Sequence, residues 1–179
     1  DLPDFTKIPD KLPKAIDSMS LAHALGVRNK TLMHQVVNRD KAYTVHLIPK
    51  KSGGLRVIHA PNERMKYVQA KVLDTLFSNL DYPEHIAAYV KGKTTRDSAA
   101  LHAGKPILIV LDLKDFFPST RRAWIRSMLH QQFGYSHAVA GVLADLMTVA
   151  VDTPNGKRYV VPQGAPTSGA VCNWVAHYR

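Results

Sequence analysis

One run of residues constrains this chain more than any other: Ile107-Leu108-Ile109-Val110-Leu111, continuing through Asp112 to Leu113. A short, unbroken apolar stretch of this kind predicts a strand buried on both faces. The acid inside it is unexpected. A carboxylate near the end of a buried strand is costly unless it meets cations or hydrogen bonds. A bound metal would meet that need, and so would a role capping the loop that follows; the acid alone does not choose between them.

The rest of the chain predicts an α+β order around that strand. Pro3, Pro9 and Pro13 make residues 2–14 an extended lead-in. From Ala15 to about Arg39, Ile16, Met19, Leu25, Leu32 and Val36 recur at helical spacing, with Gly26 dividing two short helices. Residues 43–48 and 55–59 are β-rich and flank Lys50-Lys51-Ser52-Gly53-Gly54, so a hairpin with a basic tip is expected. Val68, Val72, Leu76 and Leu80 mark an amphipathic helix after Pro61, and a shorter helix is expected over Ser98 to His102. Beyond the apolar run, Pro118 suits a helix's first turn, Trp124 to Phe133 and Val139 to Val149 read as helices, and Asp115 caps or solvates the turn after the strand. Thr153-Pro154-Asn155-Gly156 predicts a turn between two β segments, and a last helix follows residues 163–169.

Charge narrows the partner. With 24 Lys and Arg against 14 Asp and Glu, the net charge of +10 points to a polyanion, nucleic acid first. Cys172 is the lone cysteine, which excludes an intrachain disulfide and a zinc cluster and suits a reducing, cytoplasmic setting. No run approaches the ~20 apolar residues of a membrane helix, so no membrane partner is expected. The nine histidines form no His-Glu-x-x-His pattern, and no Gly-x-Ser-x-Gly elbow is present.

Three motifs then occur in a telling order. Ile48-Pro49-Lys50-Lys51-Ser52-Gly53-Gly54-Leu55-Arg56 puts ammonium groups and a forked guanidinium on one hairpin, a combination suited to phosphate. Leu111-Asp112-Leu113-Lys114-Asp115-Phe116-Phe117-Pro118-Ser119 places an aromatic five residues after the strand's acid. Val161-Pro162-Gln163-Gly164-Ala165-Pro166-Thr167-Ser168-Gly169 is the third. Together they resemble the fingers hairpin, the first palm motif and the PQGxxxS loop of reverse transcriptases, and in detail those of the bacterial retron type.

That resemblance implies an α+β fold: a lead-in and helical preface over 1–40, fingers over 41–105, and part of a palm over 106–179, ending before the second palm metal motif and the thumb. It implies an RNA-directed DNA polymerase that adds dNTPs to a primer 3′-hydroxyl with two Mg²⁺ ions. Asp112 would be the catalytic metal ligand with the Leu113 carbonyl beside it. Lys50 or Lys51 and Arg56 would hold the triphosphate, Phe117 would reject a 2′-hydroxyl, and Gln163 and Gly164 would contact nucleotide and template. The implied partners are an RNA template, a DNA or RNA primer and dNTPs, with a structured non-coding RNA and an effector protein in retron or related antiviral-defence systems.

Two departures matter. Ser98-Ala99-Ala100-Leu101-His102 has Ser98 where retron enzymes commonly carry Asn, and the chain contains no Asp-Asp pair of the Tyr-x-Asp-Asp motif. Two-metal phosphoryl transfer needs several carboxylates, so this chain alone is expected not to polymerise. The alternatives are a non-catalytic nucleic-acid-binding module and a P-loop nucleotidase. Gly92-Lys93-Thr94 ends like a P-loop, but its first glycine would fall at Ala87.

Overall fold

A computed structural model describes residues 2–51 and 53–178. Ser52, at the expected hairpin tip, and the end residues Asp1 and Arg179 lie outside the described residues. The order is α1 (Ser18–Ala24), α2 (Asn29–Val37), β1 (Tyr43–Pro49), β2 (Leu55–Pro61), α3 (Glu63–Thr75), α4 (Thr95–Ala100), α5 (Phe116–Ser119), α6 (Arg122–Gln131), α7 (His137–Leu146), β3 (Val149–Thr153), β4 (Gly156–Val160) and α8 (Ser168–His177). The fold is α+β, as the sequence predicts.

Helix starts are written in short polar residues. Asp17 and Ser20 form a capping box on α1, Asn62 accepts from the Met65 amide at α3, and Ser136 accepts from the Val139 amide at α7. The helix expected from Ser98 begins earlier, at Thr95, because Thr94 and Asp97 cap each other. Gly26 separates α1 from α2 at a φ of 65°, the left-handed turn a glycine allows.

One cluster of buried side chains draws on residues from the lead-in to α8. Ile8 and Leu12 meet Leu21, Leu25 and Leu32; Met65, Val68 and Val72 of α3, Ile125 and Leu129 of α6, Val139 and Leu143 of α7, and Val171 and Trp174 of α8 complete it. Each such side chain contributes about 1.5–3 kcal/mol on full burial. Ile16 and Met19, expected on the apolar face, are instead exposed (54% and 67%), because the Asp17 cap turns that side of the first turn to solvent.

Polar ties lock the layers. The fully buried Gln69 amide donates to the Tyr43 hydroxyl and the Leu146 carbonyl, both at 2.7 Å, joining α3 to β1 and α7. Burial raises the Tyr43 hydroxyl above its ordinary pKa. Asp145 of α7 is clamped by Arg122 of α6, through Nε at 2.5 Å and Nη2 at 3.0 Å, and by Arg39. Arg39 also lies over the Tyr159 ring at 4.2 Å, so one carboxylate links the preface, α6, α7 and β4. Cys172 is buried, and its thiol is pushed up to about 11 by that burial, which makes it a packing residue.

The expected buried strand at 107–113 is corrected. The segment forms no regular secondary structure and is exposed, with Ile107 at 78%, Val110 at 81% and Leu111 at 88%. No strand among the described residues pairs with it: β1 and β2 pair only with each other, as do β3 and β4. A strand needs a ladder for its amides and carbonyls before apolar burial can follow.

Candidate nucleotide and nucleic-acid site

The β1–β2 hairpin runs in antiparallel register from Tyr43 opposite Pro61 to Pro49 opposite Leu55. Its tip closes with the Lys50 amide on the Gly54 carbonyl (3.0 Å) and the Gly53 amide on the Lys50 carbonyl (3.1 Å). Both glycines have positive φ, 86° and 81°, which is why the lysine pair ends in a Gly-Gly step.

The base of the hairpin is tied to the Gln163 loop. The His59 amide donates to the Gln163 carbonyl at 2.8 Å. Gly164 follows at φ 116°, so close to β2 that a Cβ there would sit 2.9 Å from Ile58 Cγ2 and 3.2 Å from the His59 carbonyl oxygen. Only glycine fits such a backbone and such an approach. The loop is held from below by the buried Ser168 hydroxyl, which donates to the Pro162 carbonyl at 2.6 Å, and by the Val161 amide on the Thr120 carbonyl at 3.0 Å.

Two cavities flank this junction. One, of about 400 Å³, is lined by Lys50, Arg56, His59, Asp115, Pro118 and Gln163 among others. The second, of about 430 Å³, is lined by Arg56, Lys66, Tyr89, Phe117, Gln163 and the loop from Gly164 onwards. Arg56 and Gln163 face both. Lys51 lines neither, but joins Lys50 and Arg56 around a third cavity of about 410 Å³ at the hairpin tip. Cationic groups of the hairpin and of α3 therefore line the space, while Phe117 is half-buried against the core.

Asp112 and Leu113 are not brought into this arrangement. They stand on the exposed segment without regular structure and line none of the three cavities. Asp115 lines the first cavity; it occupies the position before α5 at φ 50°, exposed in the turn with no cap hydrogen bond from its side chain, so of the two expected roles, capping or solvating the turn, it takes the second. A carboxylate and a carbonyl are oxygen donors of the kind Mg²⁺ takes, but no group of three or more His, Cys, Asp or Glu residues among the described residues could hold a metal. The donor chemistry fits and the donor number does not.

Sequence reading missed His59, Lys66 and Tyr89. His59 lies three residues after Arg56 on β2 and is partly buried, which lowers its pKa. Lys66, one turn into α3, could have been found from its position after the hairpin; nothing local marks Tyr89. Lys93, the P-loop-like lysine, donates to the carbonyls of Glu84 (2.8 Å) and Ile86 (2.9 Å), with Pro83 at 3.4 Å, and Thr94 caps α4. Both residues are committed to the loop's own structure, and the strand a P-loop fold would need is not formed.

A basic fingers hairpin closing on a palm-type Gln-Gly loop is the framework of a nucleic-acid polymerase domain. Residues 48–178 match the family model described as "Reverse transcriptase (RNA-dependent DNA polymerase)", and the chain belongs to that family. It is similar to the retron Mx65 reverse transcriptase of Myxococcus xanthus, 39% identical over 87% of this chain and 39% of that protein. It is also similar to the retron Mx162 reverse transcriptase of the same organism, 32% identical over 86% of this chain and 34% of that protein. The retron Ec86 reverse transcriptase of Escherichia coli is 24% identical over 92% of this chain and 49% of that protein. The chain thus spans between about a third and a half of the length of these relatives. No helix among the described residues is long and apolar enough to cross a membrane.

Proposed function

We propose that this chain provides the fingers and the first part of the palm of a retron-type RNA-directed DNA polymerase. The observation that carries the reading is the convergence of Lys50, Arg56 and Gln163 on one cavity of about 400 Å³, beneath a hairpin bonded to the Gln163 loop. A triphosphate entering there meets an ammonium group that can follow its charge and a guanidinium that can grip two oxygens at once. Gln163 and Gly164 would position nucleotide and template, and Phe117 would crowd the sugar's 2′ position. His59, largely neutral at neutral pH, adds a hydrogen-bonding group without another charge.

Asp112 and the Leu113 carbonyl are assigned to Mg²⁺ in the intact protein, where the ion would offset phosphate charge. Further carboxylates are required for two ions, so the 179-residue chain is expected to bind but not polymerise. The template is RNA, the primer DNA or RNA, and the retron relatives suggest a structured non-coding RNA as a partner, in a bacterial cytoplasm. The exposed position of Asp112 favours a second reading for the chain on its own, a nucleic-acid-binding module without chemistry.

Mg²⁺-dependent dNTP incorporation on a primed RNA template, by the full-length protein and by its Asp112→Asn variant, separates the two. Loss of synthesis in the variant with template binding retained supports the polymerase. Synthesis that survives the substitution would remove Asp112 from the chemistry.

A further inference from the structure

We propose that Tyr89 is a stacking platform for an unpaired nucleobase, held at the Phe117–Gln163 cavity by a loop built to present it. The inference rests on the nucleic-acid reading above and adds one contact to it.

The backbone of Tyr89 is in the left-handed region at φ 57°, one of only two such non-glycine residues among those described. Conformations of this kind persist where surrounding bonds over-determine them, and they concentrate at functional sites. Here the restraints are visible. Lys93 gathers the carbonyls of Pro83, Glu84 and Ile86 around its ammonium group, fixing the loop's ends. Asn173 of α8 donates to the Ala88 carbonyl at 2.7 Å, pinning the residue just before Tyr89.

The ring is seated as firmly as the backbone. It rests on the bare Cα of Gly169, where an added methyl group would overlap its Cβ, Cγ and Cδ1 atoms. It meets Phe117 edge-on, with centroids 6.1 Å apart and planes at 89°. Yet Tyr89 remains 67% exposed. A tyrosine that merely packed would gain burial in return for its backbone; this one is immobilised with most of its surface in water. Arg56 and Lys66 line the same cavity, supplying positive charge for a phosphate chain beside the aromatic face. Cations tracking a backbone next to a rigid aromatic ring are the means by which single-stranded nucleic acid is held without regard to sequence. The base could belong to the template strand or to the incoming nucleotide, and the chemistry is the same.

Fluorescence anisotropy with the 179-residue chain tests this against three probes: a labelled single-stranded oligo(U), an abasic strand of equal length, and labelled dATP. Tyr89→Ala is expected to weaken a base-bearing probe by roughly 5- to 100-fold and Tyr89→Phe to keep wild-type affinity. The abasic strand should bind all three proteins alike, with the same salt dependence, because no cation has been removed. Loss on oligo(U) alone assigns a template base, and loss on dATP alone assigns the incoming nucleotide. Gly169→Ala, which keeps Tyr89 but takes away its seat, should reproduce the loss; thermal midpoints confirm that each variant is folded. Wild-type affinity in folded Tyr89→Ala for both base-bearing probes, or an equal loss on the abasic strand, overturns the platform alone. A wild-type chain that binds none of the probes overturns the nucleic-acid reading together with it.

Discussion

Replacing Gly164 by alanine tests whether the hairpin and the Gln163 loop are one unit. At φ 116° an L side chain is strained, at a cost of about 1–3 kcal/mol. The new Cβ would also stand 2.9 Å from Ile58 Cγ2 and 3.2 Å from the His59 carbonyl oxygen, well inside ordinary contact. The side chain of Ile58 is on a regular strand and cannot retreat without moving β2, so relief comes by parting the loop from the strand. That stretches the 2.8 Å bond from the His59 amide to the Gln163 carbonyl, worth about 1 kcal/mol. The sum is about 2–4 kcal/mol, less than a typical domain's total stability, so the variant folds. At about 2–4 °C per kcal/mol for a chain of this size, its thermal midpoint should fall by about 5–15 °C. Circular dichroism measures the midpoint, and hydrogen exchange at the His59 amide measures the local opening. A midpoint within about 2 °C of wild type, with unchanged protection at His59, would refute the claim that this contact joins the two motifs.

Asp145→Ala should leave Arg39 and Arg122 facing each other. Because their side chains keep 18% and 30% of their surface exposed, the loss is expected nearer to about 2–3 kcal/mol than the full penalty of a buried pair, and an unchanged denaturant midpoint would refute it. Burial holds the pKa of His59 below its ordinary 6.5 in the folded chain, so the unfolded state takes up its proton first: the His59 contribution to stability should be level above that pH and decline as pH falls below it. His59→Gln should flatten part of that slope in pH-dependent melts, and a slope of opposite sign would refute the burial account. The exposed apolar edge at 107–113 should pair between copies as concentration rises, and Ile109→Lys should suppress the association seen by light scattering.

What could be read in the sequence follows from the range of the forces involved. Both hairpins were legible because Gly53-Gly54 and Asn155-Gly156 fix their turns locally and the flanking β-branched residues need only each other. Most helices were legible to within a turn; the helix expected to run through Leu80 ends at Thr75 and gives way to a 3-10 turn over Phe77–Asn79, and the misplaced start of α4 is traceable to the Thr94–Asp97 cap. Lys50, Arg56, Phe117, Gln163 and Gly164 could be proposed from the sequence because they sit inside contiguous motifs, and they line the cavities at the hairpin–loop junction. Tyr89 was not, since its significance comes from Gly169 and Asn173, some eighty residues further along. The Arg39–Asp145–Arg122 clamp is nonlocal in the same way.

The same distinction explains why the proposed site is assembled on one side only. Three groups around the Gln163 junction have restraints within the described residues: the tip turn for the Lys50 backbone, the His59 bond for the Gln163 backbone, the core for Phe117. Asp112 has none, for the amides and carbonyls of residues 107–113 make no backbone hydrogen bond to any described residue. An acid on such a segment is solvated and unconstrained, whereas a metal ligand must be held to a fraction of an ångström by packed neighbours. The proposed nucleotide grip and the proposed metal chemistry would thus be separable: the first would depend on contacts already made, the second on restraints that the Asp112 carboxylate does not have among the described residues.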